Sequence, residues 1–299
     1  MDRVKFWEDQ EVARLPLPAS AVRLEAAATV HRTSHSAGNI VWHVWGELAE
    51  GDLPLVLFHG GSGSWLHWLR NIDDLVAAGR QVWAVDLPGF GDSDAPESGG
   101  DADALVEPLY ASMRELFGMQ QCDLVGFSFG GLTAGLLTSA HPEIARQLVL
   151  VGAPAMGVVP EQQYRLKAWR HLPPESQLNA HRFNLGALMF YDTAVIEGDA
   201  LSVHVNNVTR DRMQRRRLAR TDILARSLPN VTCPVHAIYG ANDSLYKAWI
   251  AALQEAYAKA VPDFRGLELI PQSGHWVQFE SPEAFKQALL EALKDGEKV

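Results

Sequence analysis

The stretch Gly126-Phe127-Ser128-Phe129-Gly130-Gly131 sets one serine between two phenylalanines and rings it with glycines. Upstream, Gln121-Cys122-Asp123-Leu124-Val125 is a short run suited to a buried strand, and downstream Leu132-Thr133-Ala134-Gly135-Leu136-Leu137 suits a helix. The whole reads as strand, tight turn, helix, with Ser128 at the turn. A Gly-rich connection would satisfy the same pattern, but so does the G-x-S-x-G nucleophile elbow. The surrounding chain decides between them.

Working outward, short apolar runs alternate with helical stretches. Leu55–Phe58, Val82–Val85, Asp123–Val125 and Leu148–Val151 read as buried strands. Helices over Trp68–Ala78 and Leu105–Phe117 and one ending near His141-Pro142 separate them. Two further strands precede them, Ala28–Thr33 and the alternating Asn39–Trp45. Residues 1–18 read as a short helix ending near Pro16 and Pro18. The pattern predicts a mostly parallel sheet covered on both faces. From Met156 to Leu224 the strands stop, and Glu161–Leu172, Leu178–Phe190, Ala194–Asn207 and Arg210–Arg220 all read as helices. Strands resume at Val235–Tyr239 and Leu267–Ile270, and Ser281 and Pro282 mark the start of a final helix running to about Leu293. The expected organisation is an α/β core of residues 1–155 and 225–299, interrupted by a helical insertion over 156–224.

Composition bounds the function. The chain has 299 residues, 47% hydrophobic and 21% charged, as in ordinary soluble globular proteins. A net charge of −10 argues against general nucleic-acid binding, which needs a basic surface. Cys122 and Cys233 are far apart and show no metal-ligand spacing. No apolar run approaches the roughly 20 residues needed to span a bilayer, and the first residues have no apolar core of signal-peptide length. The expectation is a reduced, cytoplasmic protein with no metal, no cofactor, no nucleic-acid partner and no membrane partner. A homo-oligomer is compatible with it.

A serine hydroxyl needs a base, a group that orients the base, and donors for the developing oxyanion. Each should follow a sheet strand, where open α/β sheets place their ligands. His275, in Gln272-Ser273-Gly274-His275-Trp276, follows the last strand; among the 11 histidines its rivals are His59 and His236, and His236 lies inside a strand. Asp243 follows the preceding strand in Tyr239-Gly240-Ala241-Asn242-Asp243, although a helix N-cap would look the same. The alternative site for the acid reads Gly152-Ala153-Pro154 and holds no carboxylate. For the oxyanion, Phe58-His59-Gly60-Gly61-Ser62-Gly63-Ser64-Trp65 exposes backbone N–H groups, and no Gly-Lys-Ser/Thr follows to make it a phosphate loop.

With the order Ser128, Asp243, His275, the chain resembles the α/β-hydrolase superfamily in its capped serine-hydrolase branch. The resemblance rests on His59-Gly60-Gly61, Asp86-Leu87-Pro88-Gly89-Phe90-Gly91-Asp92-Ser93, the Ser128 elbow, Gly240-Ala241-Asn242-Asp243 and Ser273-Gly274-His275, in order over about residues 55–280. It implies Ser128 as nucleophile, His275 as base, Asp243 as its orienter, and the N–H groups of Phe129 and Gly61 as oxyanion donors. It also implies no catalytic role for Asp86, and a helical cap shaping the pocket. Trp65, Trp68, Phe129, Trp169, Phe190 and Trp276 are pocket candidates, with core packing the competing role for each. Ser128 argues against the branches that use an aspartate nucleophile, the haloalkane dehalogenases and epoxide hydrolases.

The expected reaction is hydrolysis of a small or medium ester through an acyl-enzyme. The nearest rival is a carbon–carbon bond hydrolase of the meta-cleavage type, which Gly274–Glu280, Trp65 and Arg70-Asn71 resemble. The missing longer Gly-Pro-Gly segment after Gly61, and Phe129 in place of methionine, depart from that group. A cofactor-free perhydrolase and a non-enzymatic ligand receptor on the same fold are further rivals. The run Arg210–Arg220 carries six arginines. It reads as a solvated helix face pairing with acidic neighbours, or as the source of one arginine that meets a substrate carboxylate.

Overall fold

Eight strands form one sheet in the order β1-β2-β4-β3-β5-β6-β7-β8. The computed structural model describes residues 11–97, 100–159, 165–213 and 216–294. The strands are β1 (Thr29–His35), β2 (Gly38–Trp45), β3 (Leu55–Phe58), β4 (Val82–Asp86), β5 (Cys122–Phe127), β6 (Ala145–Val151), β7 (Val235–Gly240) and β8 (Phe264–Ile270). β2 runs against β1 and β4, and β3 through β8 are parallel. The helices are α1 (Ala19–Ala27), α2 (Ile72–Ala77), α3 (Val106–Phe117), α4 (Phe129–Ala140), α5 (Pro174–Leu188), α6 (Asp199–Val208), α7 (Ile223–Ser227), α8 (Ile250–Ala260), α9 (Val277–Glu280) and α10 (Pro282–Lys294).

Strand alternation sends the core to both faces. Val56 and Phe58 of β3 join Leu109, Met113, Leu132, Leu136 and Tyr257 on the face covered by α3, α4 and α8. Leu55 and Leu57 join Leu24, Ile72, Leu75, Phe285 and Leu289 on the face covered by α1, α2 and α10. β2 is buried on both faces from Ile40 to Trp45, where the sequence pattern suggested two unlike faces. Its polar His43 packs against Trp45 and Trp65.

Four local readings are corrected. Pro16 and Pro18 do not end a helix; Pro18 precedes α1, consistent with proline's tolerance at a helix start. Residues 1–10 of that reading lie outside the described residues. The helix expected from Trp68 is a 3₁₀ turn over Trp65–Trp68 followed by α2. Between them Arg70 Nη1 donates to Phe279 O at 2.7 Å and Asn71 Nδ2 to Gln278 O at 2.9 Å, so tertiary bonds hold this bend. Between β6 and β7 no strand occurs among the described residues, and α5, α6 and α7 lie there. Helices expected over Glu161–Leu172 and Arg210–Arg220 are absent where described: residues 165–172 contain none, and only Leu218–Arg220 forms a 3₁₀ turn. Residues 161–164, 214 and 215 of those readings lie outside the described residues. The arginine run is drawn out by the core loops beneath it: Arg212 N–H donates to Gly89 O at 2.9 Å and Arg212 Nη2 to Gly91 O at 3.0 Å.

Candidate active site

The parallel strands end side by side, Phe58 of β3 beside Gly126 of β5 and Phe127 beside Val151 of β6. Their C-terminal loops therefore converge, and Ser128, Asp243 and His275 meet there. Ser128 sits between β5 and α4 with φ 49° and ψ −115°, a left-handed conformation that a non-glycine residue rarely adopts. Its N–H donates to Val151 O at 2.7 Å, anchoring the elbow to the neighbouring strand. The glycines around it are required by contact. A Cβ on Gly130 would fall 2.4 Å from both Phe58 O and His59 O, and one on Gly126 would fall 2.5 Å from Gly130 O. Since those obstacles are backbone, Gly130→Ala is expected to destabilise the fold by about 1–3 kcal/mol. Thermal denaturation should show the lowered Tm.

Ser128 Oγ lies 2.9 Å from His275 Nε2, and His275 Nδ1 lies 2.7 Å from Asp243 Oδ2. With the proton on Nδ1, the imidazole donates to Asp243 and can accept from Ser128. Asp243 is fully buried, and its other oxygen accepts from Leu245 N–H at 2.9 Å. The histidine loop is clamped by Glu280, whose Oε2 accepts from Gly274 N–H at 2.6 Å and whose Oε1 accepts from Tyr191 and Asp192 N–H at 3.0 and 2.7 Å. Glu280 had no assigned role in the sequence. Its position five residues past His275, on a one-turn helix, was the available signal.

Gly61 and Phe129 also come together: a Cβ on Gly61 would lie 3.6 Å from Phe129 Cβ. Phe129 is the first residue of α4, so its N–H has no intrahelical acceptor. Neither N–H has a hydrogen-bond acceptor among the described residues.

A cavity of about 630 Å³ opens onto Ser128 and His275. Of the aromatic pocket candidates, Phe129 lines it and the others do not. Trp65 packs on Trp45 and His43, and its N–H is held by Asp86 Oδ1 at 2.8 Å. Trp68 packs on Phe127 and Phe285. Trp276 is buried against His67, Phe190 and Phe279, with Nε1 donating to His67 O at 3.1 Å. Trp169 packs on His181. Apolar lining comes instead from Met156, Leu188 and Leu245, together with Tyr246. Of the arginine run, Arg216 and Arg220 line the cavity. Arg210 pairs with Asp92 at 2.9 Å, as the solvated reading expected of such residues.

The rival base His59 is buried in the loop below. Its Nδ1 lies 2.7 Å from Gly60 O and its Nε2 accepts from Leu87 N–H at 2.9 Å, which leaves no free nitrogen. Burial pushes its pKa down to about 4 although Asp86 lies nearby. Burial likewise lowers His181 to about 4 and His204 to about 3. The unfolded chain protonates these rings near 6.5 while the folded chain does not. Stability from these groups is therefore complete above about pH 6.5 and lost as pH falls toward 4 for His59 and His181 and toward 3 for His204. Tm measured across that window should fall, and His59→Asn should flatten the fall.

Among the described residues no group of histidine, cysteine and carboxylate side chains could hold a metal ion, and no helix is long and apolar enough to cross a membrane. Both cysteines are buried and unpaired. The family model described as the alpha/beta hydrolase family matches residues 55–288. The chain belongs to the alpha/beta hydrolase family. It is 27% identical over 288 residues to a 2-hydroxy-6-oxononadienedioate/2-hydroxy-6-oxononatrienedioate hydrolase of Paraburkholderia phymatum, covering 90% of this chain and 96% of that protein. The hydrolase of the same name in Escherichia coli K12 is 25% identical over 285 residues, covering 90% and 96%. Among solved structures, the esterase RhEst1 from a Rhodococcus species aligns with a TM-score of 0.72 at 24% identity, over 91% of this chain and all of that one. Carboxylesterase CesB of Bacillus subtilis aligns with a TM-score of 0.71 at 17% identity, over 94% and 100%. This alpha/beta hydrolase is an enzyme of the hydrolase class, as its relatives are.

Proposed function

We propose that this hydrolase cleaves small to medium carboxylic esters through an acyl-enzyme on Ser128. The observation that carries the proposal is the serial contact Ser128 Oγ–His275 Nε2–Asp243, at 2.9 and 2.7 Å, opening onto one cavity. His275 takes the Ser128 proton as Oγ attacks the acyl carbon, and the Phe129 and Gly61 N–H groups receive the oxyanion. The imidazolium then protonates the leaving alcohol. Water activated by His275 attacks the acyl-enzyme, and Ser128 recovers its proton. Asp243 holds the ring in the required tautomer and stabilises its charged form. Residues 156–224 are the cap: Met156, Leu166 and Leu188 line the cavity from that segment. Small molecules are the partners this cavity fits.

A second reading is favoured by the relatives, which are named as hydrolases of 2-hydroxy-6-oxononadienedioate and 2-hydroxy-6-oxononatrienedioate and align over nine-tenths of this chain. The same serine and histidine would then act at a carbon–carbon bond beside a ketone. Turnover of p-nitrophenyl esters, set beside loss of absorbance from a dienoate ring-fission product, tests the proposal. Ester turnover with no dienoate turnover supports the first reading, and the reverse supports the second.

The lining also predicts specificity. Met156→Ala and Leu188→Ala enlarge the cavity, so kcat/KM across esters from acetate to octanoate should shift toward longer chains. Trp169→Ala, away from the cavity, should leave the profile unchanged.

A further inference from the structure

Ser62 stands next to Gly61 with φ 52°, one of four non-glycine residues in the left-handed region among the described residues. Such a conformation persists only where surroundings over-determine it. Here its hydroxyl is the hub of a closed polar triangle. Ser62 Oγ donates to Asp211 Oδ2 at 2.5 Å and accepts from Arg216 Nη2 at 3.0 Å, and Arg216 Nη2 donates to Asp211 Oδ2 at 2.9 Å. Asp211 is itself fixed, its Oδ1 accepting from Met213 N–H at 2.9 Å. The Arg216 guanidinium lies over the rings of Phe90 and Phe129, at 5.2 and 5.7 Å from their centroids. A Cβ on Gly61 would fall 3.7 Å from Arg216 Cζ and 3.6 Å from Phe129 Cβ, so both groups lie close against Gly61. None of the three side chains hydrogen-bonds to Ser128, His275 or Asp243. Asp211 and Arg216 come from the segment between β6 and β7, whereas Ser62 comes from the loop after β3.

We propose that Ser62, Asp211 and Arg216 are positioning residues that aim the Gly61 N–H at the acyl oxygen, so that the covering segment sets half of the oxyanion site. The inference rests on the ester-cleavage reading above. Preorganised donors act where charge develops, so a misaimed donor costs transition-state stabilisation and leaves ground-state binding intact. Glycine at position 62 accepts φ 52° without strain but removes the hydroxyl. Ser62→Gly therefore separates the clamp from the backbone strain, and Asp211→Ala removes the clamp from its other side.

The experiment measures kcat and KM of wild type, Ser62→Gly, Asp211→Ala and the double variant. The substrates are p-nitrophenyl acetate, which is neutral, and p-nitrophenyl hemisuccinate, which is anionic. Each single variant should lose about tenfold in kcat on both esters with KM within about twofold, and the double variant should lose no more than the worse single one, because the residues act as a unit. Affinity for a trifluoromethyl ketone, whose adduct on Ser128 carries the oxyanion, should fall by the same factor. Unchanged kcat in Ser62→Gly would overturn the proposal. So would multiplying losses in the double variant. A loss confined to the hemisuccinate would also overturn it, assigning Arg216 instead to binding a substrate carboxylate. Failure of the underlying reading has a different signature: wild type itself would show neither ester turnover nor ketone binding.

Discussion

Ser128→Ala is expected to lower kcat/KM for p-nitrophenyl acetate by about 10⁶-fold, the scale of removing a nucleophile that acts with its base as a unit. That factor corresponds to about 8 kcal/mol of transition-state stabilisation. The size follows from the geometry. Oγ is the atom 2.9 Å from His275 Nε2, and among the described residues no other hydroxyl bonds to that ring. The fold should survive, since the hydrogen bonds that hold the elbow belong to the Ser128 backbone, its N–H to Val151 O and its carbonyl to Leu132 N–H. Far-UV circular dichroism and Tm close to wild type would establish that the loss is chemical. Activity within a few-fold of wild type would mean that another group attacks the substrate.

Asp243→Asn is expected to cost about 10⁴-fold in kcat with the fold retained. Asparagine keeps the shape but brings an amide N–H₂ toward Nδ1. The ring then settles with its proton on Nε2, facing Ser128, where it cannot accept the hydroxyl proton. Two other acids could have held this role, and the structure gives each a different task. Asp86 binds the N–H groups of Trp65 and Asp92 at 2.8 and 2.9 Å and shapes the loop after β4. Asp123, at the start of β5, is fully buried and ion-paired with Arg146 at 2.5 Å and with Arg80. Near-normal kcat for Asp243→Asn would show that His275 is oriented by something else.

The elements that carry the site were legible because their signals are local. Leu55–Phe58, Val82–Val85 and Leu148–Val151 are short apolar runs between turns, and the elbow's glycines form a recognisable motif, although only Gly126 and Gly131 press on each other's turn while Gly130 is demanded by Phe58 O and His59 O. The meeting of Ser128, Asp243 and His275 followed from placing each after a parallel strand. What the sequence hid depends on long-range bonds. Arg210–Arg220 has helical composition, yet Arg212 is tied to Gly89 and Gly91, and Asp101 accepts the N–H groups of Arg217 and Leu218, which pull the run out of a helix. The pocket aromatics misled for a geometric reason. Trp276 adjoins His275 in sequence, but its side chain passes beneath the loop to His67 O, so neighbours along the chain face opposite ways. Ser62 lay in a motif read only for its glycines, and its partners are about 150 residues away.

In the proposed mechanism Ser128 is the residue that forms the covalent intermediate. Treating the native enzyme with a fluorophosphonate and mapping the modified peptide by mass spectrometry tests it most directly. One adduct is expected, on Ser128, absent from Ser128→Ala and slowed in Asp243→Asn. An adduct on another residue, or equal labelling of wild type and Ser128→Ala, would contradict it.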